Sequence, residues 1–204
     1  MAKLFVSNKD ETARMFKSDF MEAFSRVHWT TPLWLFVPVV TYFLYKSIVD
    51  YPLNYLEIIG FFFVGLLYWT LKEYLLHRFL FHYEPKSEWA KRIHWTFHGV
   101  HHDYPNDTKR LVMVPIVSIP LASLSYLYMY LILGTHLAAP FFAGFIVGYI
   151  FYDITHYAIH HFGFKNKFWL AIKQHHMRHH YKDPELGFGV SSPIWDYAFR
   201  TNYK

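Results

Sequence analysis

Three imidazoles stand within five residues at His98, His101 and His102. Neutral imidazole is the commonest protein ligand for zinc, iron and copper, so such a run suits a metal and suits a core or a turn poorly. The motif has companions: His77 and His82 precede it, His156 and His160 follow it, and His176, His179 and His180 come last. Ten of the fifteen histidines thus fall into four spaced clusters. The chain has no cysteine, which excludes disulfides and thiolate sites and leaves histidine or oxygen to hold any metal.

Helical geometry groups these residues. At about 100° per residue, His156 and His160 share a face, as do His176, His179 and His180, and again His98, His101 and His102. His77 and His82, five apart, diverge by about 140° on a straight helix, which predicts ligands to two neighbouring ions rather than to a shared one. Ten imidazoles exceed the roughly six ligands that one transition ion accepts, so the expected centre holds two metal ions on histidine alone. His28, His94 and His136 read as ordinary interfacial residues. His161 and His175 flank the ligand motifs as spare or supporting groups.

The elements that must gather these clusters follow from composition. The chain has 204 residues, enough for one domain, 1–204, and they are 53% hydrophobic, 22% aromatic and only 17% charged, which predicts a membrane protein. Four apolar stretches predict transmembrane helices over about 33–49, 55–76, 111–133 and 137–154. Each is near the length required by a bilayer core of about 30 Å, and Pro115 and Pro120 kink the third without excluding it. The short loops 50–54 and 134–139 carry no Lys or Arg, whereas Lys72, Arg78, Lys109, Arg110, Lys165 and Lys173 lie on the other side. By the positive-inside rule the N-terminal segment 1–30, the loop 77–110 and the C-terminal segment 155–204 are cytoplasmic. The net charge of +5 is then a topology signal, and a nucleic-acid partner is not expected. The fold class predicted is all-α: four transmembrane helices under a cytoplasmic histidine-rich dimetal cap. No cleavable signal peptide is expected, and Lys9 to Phe24 reads as a short amphipathic helix on the membrane surface.

Two non-enzymatic readings compete. A structural zinc protein needs only four ligands per ion, fewer than are supplied here. A metal transporter places ligands near the bilayer midplane, where all four predicted spans lack histidine.

The boxes HRFLFH at His77 to His82, HGVHH at His98 to His102, THYAIHH at Thr155 to His161 and HMRHH at His176 to His180 resemble the membrane fatty acid hydroxylase and sterol desaturase superfamily. Within it, KRLVM at Lys109 to Met113 and YKDPELGFGV at Tyr181 to Val190 are similar to the fatty acid 2-hydroxylases, over a stretch from about Ala13 to Phe199. Carotenoid or sterol-type hydroxylases and desaturases share the boxes and form the alternative reading.

The resemblance implies a monooxygenase with O2 as co-substrate that hydroxylates the carbon next to the carbonyl of a fatty acyl chain. Two electrons are consumed, and one oxygen atom enters the product while the other leaves as water. Iron is the metal this chemistry implies, although imidazole sites accept zinc readily. Neutral ligands leave the metal charge uncompensated, which favours an electron-poor, reactive centre. The acyl chain, free or within a lipid such as a ceramide, would enter from the bilayer. The sequence shows no cytochrome b5 stretch ahead of the membrane part, so a separate electron donor is implied: cytochrome b5-like, ferredoxin-like or a reductase.

Supporting residues are expected around the ligands. Asp153, three residues before His156, is the candidate to hold a ligand ring or face the substrate, because an acid at a span end is costly without a partner. Tyr152 and Tyr157 would line the site, and Glu73 lies one turn before His77. Gly187 and Gly189 would shape a turn close to the metals. Asp103, Asn106, Asp107 and Glu185 read as loop residues.

Overall fold

Each long helix begins where the sequence supplies something for its unpaired amides. The computed structural model describes Leu4–Tyr203. In it, Asn54 and Glu57 form a reciprocal capping box that opens α3 (Tyr55–Leu76). Pro32 lies in the first turn of α2 (Thr31–Val49), and Pro115 opens α6 (Pro115–His161), both places where a missing N–H costs nothing. Asn166 caps α7 (Lys167–Tyr181) through the amide of Phe168. The remaining helices are short: α1 (Asp19–Phe24), α4 (Glu88–His94), α5 (Val100–Asp103) and α8 (Ile194–Ala198). Two π-turns, His77–Phe81 and Trp95–Gly99, complete the described elements, which contain no strand.

Three of these helices are long and apolar enough to cross a membrane: α2, α3 with its π-turn, and α6. Only 17% of each 18-residue apolar window is buried, so these helices turn most of their apolar surface outward, as a lipid solvent allows and water does not. Helix α6 runs for 47 residues and is broken at Gly134, where φ is 72° and ψ is 171°. That left-handed conformation is open to glycine at no steric cost. Tyr126 and Phe142 lie sixteen residues apart, about 24 Å along a straight helix, yet their rings pack at 5.1 Å. The helix therefore doubles back at Gly134 into two arms. The stretches expected at 111–133 and 137–154 are these arms. The first starts at Pro115 rather than Leu111, and the second runs on to His161 and carries His156 and His160. The loop expected over 134–139 shrinks to the single glycine.

The core lies between α2, α3 and both arms of α6, where Phe36, Trp69, Met129, Phe142, Phe145, Ile146 and Tyr149 pack together. Helix α3 approaches the second arm backbone to backbone. A methyl group on Gly65 would run into the carbonyl of Phe141, and one on Gly144 into the carbonyl of Phe62. Small residues at such crossings replace the hydrophobic drive that lipid cannot supply.

The N-terminal segment departs from expectation. Only Asp19–Phe24 is helical, not Lys9 to Phe24. The amides of Met15 and Phe16 donate to the buried Glu22 carboxylate instead of extending a helix ladder. Glu22 also pairs with Arg26 at 2.7 Å and with the buried Arg110 at 2.5 Å. Upstream, Thr12 donates to Asp107, and Asp10 accepts from Thr108. Residues 6–16 thus form a strap over the loop that leads into α6.

Two outcomes follow. Gly65→Val should lower stability by roughly 1–3 kcal/mol through overpacking, whereas Gly60→Ala, with open space around it, should be neutral or slightly stabilising. Thermal unfolding in detergent compares the two. Burial alone would raise the Glu22 carboxyl, but the amides of Phe16 and Met15 and the guanidinium groups of Arg26 and Arg110 outweigh it and hold it down at about 2. A depressed carboxyl stabilises the fold fully above its ordinary value of 4.5 and loses that contribution as pH falls towards 2. Glu22→Gln should flatten this part of the melting-temperature profile and cost roughly 3 kcal/mol at neutral pH.

Candidate metal centre

The ten clustered histidines come together as two groups of five. His77, His82, His98, His102 and His179 form the first, and His101, His156, His160, His176 and His180 the second. Within each group one nitrogen per ring lies within 4.8 Å of every other. Eight of the ten are buried, and His82 and His102 are half-buried.

The chain achieves this with two local devices. Residues four apart on a helix project together, so the pairs His98/His102, His156/His160 and His176/His180 each serve one group. In both H-x-x-H-H boxes the middle histidine crosses over: His101 joins the second group and His179 the first. The other device is the π-turn at His77–Phe81. The amide of His82 donates to the carbonyl of His77 at 3.1 Å, an i→i+5 closure that brings the two rings to 5.0 Å. The expectation that His77 and His82 serve different ions is therefore corrected. It assumed a straight α-helix, and the helix is not α there.

A donor-set comparison tests whether metal fits. Two imidazole nitrogens about 2.1 Å from one ion stand about 3.0 Å apart at a right angle and about 3.4 Å apart at the tetrahedral angle. In the first group the Nε2 atoms of His102 and His98 are separated by 2.9 Å, His179 and His82 by 3.0 Å, His77 and His98 by 3.2 Å, and His98 and His82 by 3.3 Å. In the second, His156 and His101 are 2.9 Å apart, His176 and His160 3.0 Å, and His180 and His176 3.0 Å. These spacings are short enough for the rings of each group to share one ion. The groups adjoin each other, with the His102 and His180 rings stacked at 4.3 Å.

Protonation agrees. Burial, reinforced by the neighbouring imidazoles, pushes His98, His101, His102, His176 and His180 well below the usual histidine value. Burial brings His82 down to about 3 and His179 to about 4. The rings are neutral at physiological pH, the form that binds metal.

In the first group the protein also sets the tautomer. His77 donates from Nδ1 to the Phe188 carbonyl at 2.6 Å, and His179 from Nδ1 to the Leu186 carbonyl at 2.8 Å. A carbonyl can only accept, so both Nε2 atoms present lone pairs to the centre. The turn carrying these carbonyls is pinned by two buried carboxylates. Glu73 accepts from the amides of Val190 and Ser191 and from the Ser191 hydroxyl. Asp196 accepts from the amides of Phe188 and Gly189 and from Thr201, and its Oδ2 meets His175 at 3.1 Å. In the second group, Nδ1 of His156, His160, His176 and His180 has no hydrogen-bond partner among the described residues.

The supporting residues read from the sequence sort as follows. Glu73 acts through backbone amides and not directly on His77. Asp153 is buried, and its Oδ2 is unpartnered among the described residues. The Tyr152 ring lies 5.6 Å from His156 and 5.9 Å from Trp69. Tyr157 stacks on Trp29 and packs at a tilt against His161, outside both groups. Gly187 takes a positive φ of 72° in the pinned turn. Asp103 and Asp107 accept from Trp95 and Thr12, and Asn106 donates to Asn8. His94 donates to the Phe81 carbonyl, and His175 supports Asp196. Asp196 escaped the sequence reading because it works through amides eight residues upstream, which no spacing announces.

Residues 62–201 match the family described as fatty acid hydroxylase. The chain belongs to the fatty acid hydroxylase family. Among relatives of this hydroxylase-family chain, fatty acid 2-hydroxylase of Rattus norvegicus is 39% identical over 92% of the chain. The match spans 56% of the rat protein, little more than half its length. A dihydroceramide fatty acyl 2-hydroxylase of Arabidopsis thaliana is 40% identical over 94% of the chain and 80% of that protein. A solved structure described as full-length scs7p, with only the hydroxylase domain visible, superposes with a TM-score of 0.86 at 37% identity. It covers 91% of this chain and 70% of that one.

Substitutions should separate ligands from supports. His179→Ala and His180→Ala, one in each group, should each lower bound metal from about two ions per chain towards one. Asp196→Asn should weaken retention of one ion of the pair by about 10–100-fold and leave the other unchanged. Metal analysis under graded chelator competition measures both.

Proposed function

We propose that this protein hydroxylates the 2-position of a fatty acyl chain, free or carried in a sphingolipid-like lipid, at a pair of transition-metal ions. The observation that carries this reading is an apolar slot of about 500 Å³ that reaches the first five-histidine group through Phe81, with the second group beside the first. The names borne by the relatives support the same acyl chemistry. The ten grouped histidines would be the ligands, with iron the working metal and zinc an acceptable substitute. When bound, the ions would activate O2 with electrons from a redox donor.

The remaining work falls to the chain's own residues. The slot is lined by Trp69, Leu76, Phe97, Val117, Ile146 and Tyr149 among others, and it excludes water from the acyl chain. Phe81 lines it while stacking on the ligand ring of His98 at 5.0 Å, so the slot abuts the first group. Tyr152 bridges Trp69 of the slot wall and His156 of the second group. Asp153, beside Tyr152 and with one oxygen unpartnered in the described structure, would take a hydrogen bond from a donor on the acyl carrier. Lateral access from lipid suits Leu80, Tyr83, Trp89, Ile93 and Phe97, which line the slot and are exposed. The two arms of α6 would each cross the bilayer, giving four crossings, with the histidine cap and both ends on the cytoplasmic side by the placement of Lys and Arg.

Expression in a host that lacks 2-hydroxy fatty acids, followed by mass spectrometry of hydrolysed lipids, tests the reading. Acyl chains should gain one oxygen at the 2-position, and His179→Ala or His180→Ala should abolish the product. Unmodified acyl chains with fully metal-loaded protein would sink it.

A further inference from the structure

We propose that the outer face of α7 is the surface on which an acidic one-electron carrier protein docks to supply the metal centre, an inference that rests on the acyl-hydroxylase reading above. Helix α7 is two-sided. His176, His179 and His180 are buried and belong to the five-histidine groups, with Ile172 buried on the same side. Lys167, Ala171, Gln174 and Arg178 are exposed, and their spacing of three and four residues sets them in one stripe. Lys182, just past the last turn, is exposed and extends it. Gln174 and His176 stand about 200° apart around the axis, so stripe and ligands occupy opposite sides. The wall between them is a single helix, about 10 Å across.

The stripe carries one sign of charge. From Phe162 to Lys182 the chain has five bases, Lys165, Lys167, Lys173, Arg178 and Lys182, and no acid. None of the five pairs with a carboxylate among the described residues. Lys173 donates to the Phe162 carbonyl at 2.9 Å, and Arg178 lies over the Tyr203 ring at 5.8 Å. Asp183 and Glu185 follow just beyond the stripe. The half-buried ligands His82 and His102 also approach the surface, but Glu84 and Asp103 flank them in the chain, which suits an acidic partner poorly. A helix lying on the membrane turns apolar side chains into lipid, whereas beyond Phe168 the outward residues of α7 are Ala, Gln and Arg. The reaction itself calls for repeated short encounters. An acyl C–H bond, O2, two electrons and two protons from solvent give the C–OH product and water, so a one-electron carrier docks, is oxidised and leaves twice per product. Transient redox complexes use small interfaces, and opposite charge steers them together.

The test measures binding of two acidic carriers, the oxidised haem domain of cytochrome b5 and a plant-type ferredoxin, to the metal-loaded protein in phosphatidylcholine nanodiscs. Surface plasmon resonance over a salt series is the readout, and it does not depend on turnover. At least one carrier should bind, more weakly as salt rises, and the basic cytochrome c should not. Lys167→Glu combined with Lys182→Glu should weaken that binding about tenfold or more at low salt and flatten its salt dependence, with metal content unchanged. Glu185→Lys should tighten binding, and it serves if the double variant does not accumulate. Lys91→Glu, a charge reversal on α4, should leave the affinity as it was. Three results would each overturn the inference: neither carrier binds, Lys91→Glu weakens binding as much as the stripe variants do, or the stripe variants lose affinity for phosphatidylserine vesicles and keep it for the carriers. The hydroxylase reading stands or falls separately, on the lipid assay described above.

Discussion

Ten neutral imidazoles aimed at two points are the constraint on which the rest of the structure depends. Each ring presents a lone pair, and lone pairs 2.9–3.3 Å apart repel unless something positive stands between them or one of each pair carries a proton. Burial removes water as the compensating partner and holds the rings unprotonated. The surrounding fold answers that demand. Two arms folded at Gly134, a pinned turn at 186–191 and a strap at the N-terminus bring helix ends from four parts of the chain into one place and keep them there.

The way the groups are shared makes them one unit. The boxes at His98–His102 and His176–His180 each send two rings to one group and one ring to the other, in opposite senses. A single helical turn therefore touches both metal positions, and a shift of either box disturbs both. The two groups still differ in support. The first is oriented by carbonyls of a turn that Glu73 and Asp196 hold through its amides, while Nδ1 of His156, His160, His176 and His180 in the second has no such partner among the described residues.

Much of this was legible in the amino-acid order. The four boxes, their delivery to one end of the apolar helices and the all-helical class follow from spacing and composition, because helix periodicity and hydrophobic runs are local signals. Three things were not. His77 and His82 looked mismatched, because a π-turn cannot be read from side-chain identity. The N-terminal strap looked helical, because the apolar spacing of Met15, Phe16, Phe20 and Phe24 fits a helix until Glu22 captures the amides of Met15 and Phe16. Lys72 read only as one more basic residue near the cytoplasmic edge. Its contacts with Ser125 and Phe145 join positions more than fifty residues apart, which no local spacing announces.

The π-turn after α3 carries one further consequence. It inserts a single residue's worth of backbone between the part of the helix that packs through Trp69 and Tyr74 and the part that presents His77 and His82. The packing face and the ligand face are thereby uncoupled in phase. A lineage could re-aim the histidines by gaining or losing one residue there, with no need to rotate the apolar helix beneath or re-fit its contacts with the folded arms. The extra residue acts as an adjustable joint between a scaffold settled by lipid and a centre settled by coordination.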